Sequence, residues 1–268
     1  MASVRAVRRR RVAWRIPKRL CACAGKPRIG ERWWLDAPCG TIAVRTGTLE
    51  FSSIADARRE RPVADARHYY EPRRGHGLAH DPLNAIIAPR PIGWISSRSA
   101  EGWLNLAPYS FFNAFNYLPP IIGFASIGFK DSVRNIEQTR EFGWNLVTRE
   151  LAEAMNQTCA SVPPDVSEFE LAGLTAEPSR RISVPRVAQS PVSFECRCTQ
   201  ILQLQDADGE KLKTWLVLGE VVAVHIAKSH LKDGVYDTAT AQHVLRGGGA
   251  ADYFSVGKEQ LFRMQRPA

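Results

Sequence analysis

The chain has 268 residues, 44% of them hydrophobic, with a formal net charge of +9 and six cysteines. That length allows one large domain or two small ones, and so few cysteines exclude a disulfide-built scaffold. The charge excess sits at one end: residues 1–66 carry fifteen Lys and Arg against six Asp and Glu, and the rest carries 21 of each, so the body offers no electrostatic footprint for nucleic acid.

Residues 1–30 contain no acid and include a run of arginines at 8–11. A transit peptide would be Arg-rich and acid-poor, but Pro17, Gly25 and Pro27 break any amphipathic helix early. A nucleic-acid or membrane arm finds no support in the balanced body. We read residues 1–66 as a basic, disordered N-terminal extension and 67–268 as the folded domain. No apolar run reaches about 18 residues, so no membrane span is expected. Free thiols suit a reducing compartment, and the expected location is the cytoplasm.

In the body, Pro89 and Pro91 force an extended backbone. Residues 92–97 read as a strand, 99–102 as a turn and 103–107 as its hairpin partner, with Pro108 stopping the pairing. An aromatic and amide-rich turn follows at 109–113, and 121–126 is an apolar strand. Asp131 or Ser132 is a good N-cap for a helix over 133–141, which Gly143 ends. Residues 144–147 form another strand and 150–160 a helix, on which Leu151, Met155 and Cys159 share a face. A short helical piece lies near 168–172.

Two long strands close the pattern. Over 192–204, even positions are mostly apolar and odd ones polar, the mark of a half-buried antiparallel strand. After a turn at 206–209, residues 215–227 return as an almost continuous apolar run. Gly219 in its middle suggests a bulge or a barrel corner. Many uneven strands with two clear helices predict a mainly β (α+β) fold, a closed or split β-barrel with peripheral helices.

Metal readings are weak. Cys196 and Cys198 share the apolar face of a strand, where buried thiols are commoner than ligands. His76 and His80 lie in a glycine-containing loop and lack the glutamate of a zinc helix. No metal site and no catalytic side chain are expected. The order of elements over 89–135, a hairpin, an aromatic and amide-rich turn, a buried strand and a basic-polar loop that opens a helix, suits a pocket for a flat, phosphorylated cofactor.

Four segments together resemble the flavin reductase-like family of FMN-binding split barrels: RPIGWISS at 90–97, NLAPYSFFN at 105–113, KDSVRN at 130–135 and LGEV at 218–221. The resemblance spans about 68–267. It implies a homodimer with FMN in a groove at the subunit interface. It also implies NAD(P)H:flavin (FMN) oxidoreductase activity, with NADH or NADPH as donor and a monooxygenase or redox protein as a possible partner. The alternative is a non-catalytic FMN-bound electron-transfer protein. By the resemblance, Trp94, Ile95, Ser96 and Ser97 run beside the flavin, and Ala107, Pro108, Tyr109 and Ser110 lie near the ring and ribityl chain. Lys130 and Ser132 are assigned to the phosphate, because a cation and a hydroxyl at a helix N-terminus suit a dianion.

Overall fold

The computed structural model describes residues 67–267; the expected disorder of residues 1–66 lies outside them. After a helical turn α1 (Leu83–Ile86) come strands β1 (Arg90–Pro91), β2 (Gly93–Arg98), β3 (Leu104–Tyr109), β4 (Phe112–Tyr117) and β5 (Pro120–Ile127). Helix α2 (Asp131–Thr139), strand β6 (Glu141–Asn145), and helices α3 (Ala152–Gln157) and α4 (Glu168–Leu171) follow. Short strands β7 (Ala176–Glu177) and β8 (Arg186–Val187) lead into the long pair β9 (Val192–Gln205) and β10 (Lys211–Ile226). The chain then forms β11 (Leu231–Lys232), β12 (Val235–Tyr236), β13 (Val244–Arg246) and β14 (Tyr253–Ser255).

Seven strands make one antiparallel sheet in the order β3-β2-β6-β9-β10-β5-β4, and β1-β13-β14 form a smaller one. The large sheet coils on itself. Tyr109 on β3 and Phe124 on β5 have ring centroids 4.5 Å apart, although four strands separate them in the sheet. Register shifts between β9 and β10, one at Leu218/Gly219, supply local twist. Gly219 is required there, because a Cβ would run into the Phe142 ring. This is the expected split barrel with helices outside it.

Period-2 alternation on β2 feeds two cores. Ile95 enters the barrel interior with Phe124, Ile136, Phe142 and Val217. Trp94 enters an outer core with Leu106, Val147, Met155 and Phe169. Each fully buried large side chain contributes about 1.5–3 kcal/mol. Cys196 and Cys198 are buried in the barrel interior. Among the described residues no helix is long and apolar enough to cross a membrane.

Several local expectations need correction. The turn expected at 109–113 is mostly strand, with β3 running to Tyr109 and β4 starting at Phe112, and the strand expected at 144–147 is β6, which starts three residues earlier. Pro108 does not stop the hairpin; it pairs with Trp94. β3 is a sheet edge, and Leu106, two residues before Pro108, donates its N–H away from the sheet, to Glu168. Pro108 shares that outward side, so its missing N–H removes no ladder bond. The second strand of the hairpin is therefore longer than expected.

The helix starts at Asp131 and has Lys130 in the N-cap position, with no side-chain cap. It closes through Arg140 in the left-handed region, φ 63°. Gly143 lies inside β6 opposite Ser96, where a Cβ would meet the Ser96 hydroxyl. Finally, the polar odd positions of β9 are not all solvated: Ser193 and Glu195 are buried. Asn145 covers the first, and the backbone of Arg180 and Arg181 covers the second.

Candidate functional site

Two adjoining clefts open beside β3. The larger, about 520 Å³, is walled by Asn105, Ala107, Pro108 and Tyr109 of β3 and by Lys130, Asp131, Ser132 and Arg134 at the start of α2. The segment from Thr158 to Val162 and the buried Glu168 complete it. The smaller, about 260 Å³, continues past Pro108 and Tyr109 to Ser110 and Phe111, and shares Lys130 with the larger.

β3 and α2 meet through a polar hub. Asn105 Nδ2 donates to Ser132 Oγ at 2.9 Å and to Ser97 Oγ at 3.2 Å. Asn135 Nδ2 donates to the same Ser97 oxygen at 3.2 Å. All four side chains are buried, and paired polar groups at such depth fix one geometry. Each serine oxygen here accepts, which leaves its own O–H to donate elsewhere. The Tyr109 phenol lies close by. Burial pushes it above its ordinary value, while Ser132 and Ser126 hydroxyl contacts pull it back, so at neutral pH it is an un-ionised donor.

Charge is unevenly placed. Lys130 is exposed at the mouth. Asp131 also lines the cleft, but forms an ion pair with Arg134 one turn along α2. The start of α2 has no side-chain cap, so its first-turn N–H groups and the positive end of its dipole are available to an anion. Glu168 is the other acid. Burial pushes its carboxyl above the usual range, against the pull of the Leu106 N–H.

The sequence-selected residues fall into two sets. Ala107, Pro108, Tyr109, Ser110, Lys130 and Ser132 line the clefts. Trp94, Ile95, Ser96 and Ser97 lie behind them, Trp94 and Ile95 buried in the two cores, Ser97 in the hub and Ser96 against Asn145. β2 is an interior strand, paired with both β3 and β6 through Trp94, Ile95 and Ser96, so its ladder groups are engaged. Trp94 Nε1 donates to Thr158 Oγ1 at 3.0 Å, which carries the strand's influence to the cleft wall.

Sequence reading passed over Asn105, Arg134, Thr158, Glu168 and Arg246 as site residues. The Asp131–Arg134 spacing was a visible signal. Thr158 and Glu168 reach the cleft only through contacts 64 and 62 residues distant in sequence, which no local pattern carries.

The clefts suit a flat, phosphorylated ligand: a cation, hydroxyls and an uncapped helix start at one end, and a phenol and backbone along an extended wall. Comparison with known proteins identifies the family. Residues 87–244 match the model of the flavin reductase like domain, and the chain belongs to that family. An uncharacterized protein of Halalkalibacterium halodurans is 35% identical over 191 residues, 69% of this chain and 89% of that protein. Nitrilotriacetate monooxygenase component B from Bacillus cereus aligns with TM-score 0.63 and 32% identity, covering 68% of this chain and 90% of its own. The 2-nitrobenzoate 2-nitroreductase of Pseudomonas fluorescens gives TM-score 0.61 and 28% identity, over 69% and 88%.

Proposed function

We propose that residues 67–268 form an FMN-binding unit that transfers hydride from NADH or NADPH to flavin. The observation that carries this reading is the pairing of a cleft at the uncapped start of α2 with a second, adjoining cleft. One can hold a flavin phosphate, and the two together give room for a second nucleotide. Family membership supports the same reading.

Bound FMN would supply the hydride-accepting ring; the residues of the chain do the rest. Lys130, Ser132 and the first-turn N–H groups of α2 bind the phosphate. Ala107 to Ser110 lie along the ring and ribityl chain, and the Tyr109 phenol donates a hydrogen bond. Trp94 to Ser97 form the layer that keeps this wall in place. Arg134 neutralises Asp131, which would otherwise repel the dianion.

The reading extends to assembly. β4 ends the large sheet, and Phe115, Tyr117 and Leu118 are exposed along it and just beyond, Tyr117 at 92%. Exposed apolar edges mark association sites, and a homodimer through this edge is our proposal. Delivery of reduced flavin to a partner monooxygenase is the accompanying expectation.

The test is an absorption spectrum of the purified protein followed by anaerobic NADH and then NADPH. A flavin spectrum that bleaches with either donor supports the reductase. A yellow protein that neither donor bleaches leaves an electron carrier in its place. A colourless protein that does not take up added FMN ends the flavin reading.

A further inference from the structure

The smaller cleft holds a feature that flavin binding leaves unexplained. Arg90 and Arg246 are direct partners across β1 and β13. Both are half-buried, both line this cleft, and Lys130 stands at its shared end. Among the described residues no acidic side chain lines it. Among the described residues neither guanidinium has an ion pair with a carboxylate. Asp252 offers Arg246 only its backbone carbonyl, and its carboxylate packs against Gly249.

The pair is held in place by carbonyls, which orient a guanidinium without cancelling its charge. Arg90 donates from Nε to Ser110 O at 3.1 Å, from Nη1 to Asn84 O at 2.6 Å and Ile87 O at 3.4 Å, and from Nη2 to Gly247 O at 3.5 Å, so it brings charge and one remaining N–H. Arg246 donates to Asp252 O at 3.1 Å and Ala250 O at 3.0 Å, and lies 4.8 Å over the Tyr253 ring. Its Nε–H and one N–H on each terminal nitrogen stay unspent among the described residues. Like charges at this depth strain each other: burial lowers the Arg90 pKa, and Arg246 lowers it further. An anion between them relieves that strain, and the free fork of Arg246 matches phosphate oxygens.

We propose that the Arg90–Arg246 cleft binds a phosphate group of the nicotinamide dinucleotide, holding that end of the donor while the other end reaches the larger cleft past Pro108 and Tyr109. The proposal rests on the reductase reading and names the subsite that reading lacks. The phosphate has two sources, the pyrophosphate common to both donors and the 2′-phosphate of NADP alone.

The experiment is calorimetric titration of the full chain, with and without FMN, using NAD⁺ and NADP⁺ so that no turnover occurs. FMN is titrated separately into the flavin-free protein. Arg246→Gln should weaken dinucleotide binding at least tenfold, about 1.4 kcal/mol, and leave FMN affinity unchanged, with Arg246→Lys intermediate. Equal losses for both dinucleotides assign the pyrophosphate; a loss confined to NADP⁺ assigns the 2′-phosphate. Unchanged dinucleotide affinity overturns the proposal, as does a wild type that binds neither dinucleotide. A matching loss of FMN affinity also overturns it, by giving the arginines to the flavin phosphate. Failure of the wild type to bind FMN would sink the flavin reading, while the dinucleotide arm still judges the arginine pair. If Arg246→Gln does not fold, Arg246→Lys decides, since it keeps the charge and loses the fork.

Discussion

Asn105 Nδ2 sits 2.9 Å from Ser132 Oγ, which ties the edge strand of the barrel to the first turn of α2. The same amide reaches Ser97 on the neighbouring strand. One side chain thus sets the spacing between the wall of the larger cleft and the helix start. Asn105→Ala should leave the buried Ser132 hydroxyl short of this donor, while Ser97 keeps that of Asn135, and cost about 1–3 kcal/mol of stability. FMN affinity should fall by about tenfold, a 1.4 kcal/mol effect. Urea unfolding and fluorescence titration measure the two, and a stability loss with unchanged FMN affinity would remove the hub from the site.

Lys130→Ala separates phosphate from ring recognition. Lys130 is exposed and makes no ion pair among the described residues, so its loss should hardly move stability. Affinity for FMN should fall about tenfold or more, as a charge-assisted contact is worth roughly 1.5–3 kcal/mol, while affinity for riboflavin stays unchanged. Equal weakening of both flavins would place Lys130 elsewhere than at the phosphate.

Glu168 gives a pH-dependent prediction. Burial raises its carboxyl above the usual range, so over that interval the native state binds more protons than the unfolded chain. The stability this group lends is full below the ordinary carboxylate pKa of about 4.3 and is lost as pH rises through the raised value. Glu168→Gln keeps an acceptor for the Leu106 N–H and should be at least as stable as wild type at neutral pH. Glu168→Ala strands that N–H and should cost about 1–3 kcal/mol. Thermal melts between acid and neutral pH would show the Gln variant gaining on wild type as pH rises; the opposite trend would contradict this account.

The existence and period of most main strands were legible because they rest on alternation and turn chemistry; their bounds were not, and β4 begins inside the stretch expected as a turn. Gly102 and Gly209, at φ 99° and 86°, close the turns expected at 99–102 and 206–209. Gly219 marks an irregularity as its lack of a side chain suggested. What was not legible came from tertiary cover. Ser193 and Glu195 occupy polar positions of an alternating strand, yet both are buried, because a loop 14 or 15 residues earlier in the chain donates its N–H groups to the Glu195 carboxylate. Pro108 looked like a strand stop because edge position cannot be read from sequence. At the site, the motif residues were visible as a string, but their division into cleft wall and buried layer depends on which strand is interior. Arg246 carried no local signal; only its pairing with Arg90 gives it meaning.

Glu195 yields the opposite pH behaviour to Glu168. Burial pushes its carboxyl up, but the N–H groups of Arg180 and Arg181 and the His225 ring, 2.6 Å away, outweigh burial and leave it below its ordinary value. The native state therefore binds fewer protons than the unfolded chain. Its contribution is present above about pH 4.3, the ordinary carboxylate value, and is lost as pH falls through the folded value. Glu195→Gln should be less stable than wild type at neutral pH, by about 1–3 kcal/mol for the disrupted buried acceptor, with the gap closing on acidification. A gap that stays constant down to pH about 3 would show that ionisation of Glu195 plays no part.

The two ends of the large sheet are built differently. At β3 the outward side carries a donor spent on Glu168 and a proline with none to offer. At β4, among the described residues, no strand of the sheet lies beyond it, and Tyr117 is open. The homodimer proposed through β4 would use up the open rim of each molecule. Such a joint terminates itself. Under the proposed dimer, the carboxylate and the proline on the far edge would keep the assembly a finite, two-fold particle and not an indefinite fibre.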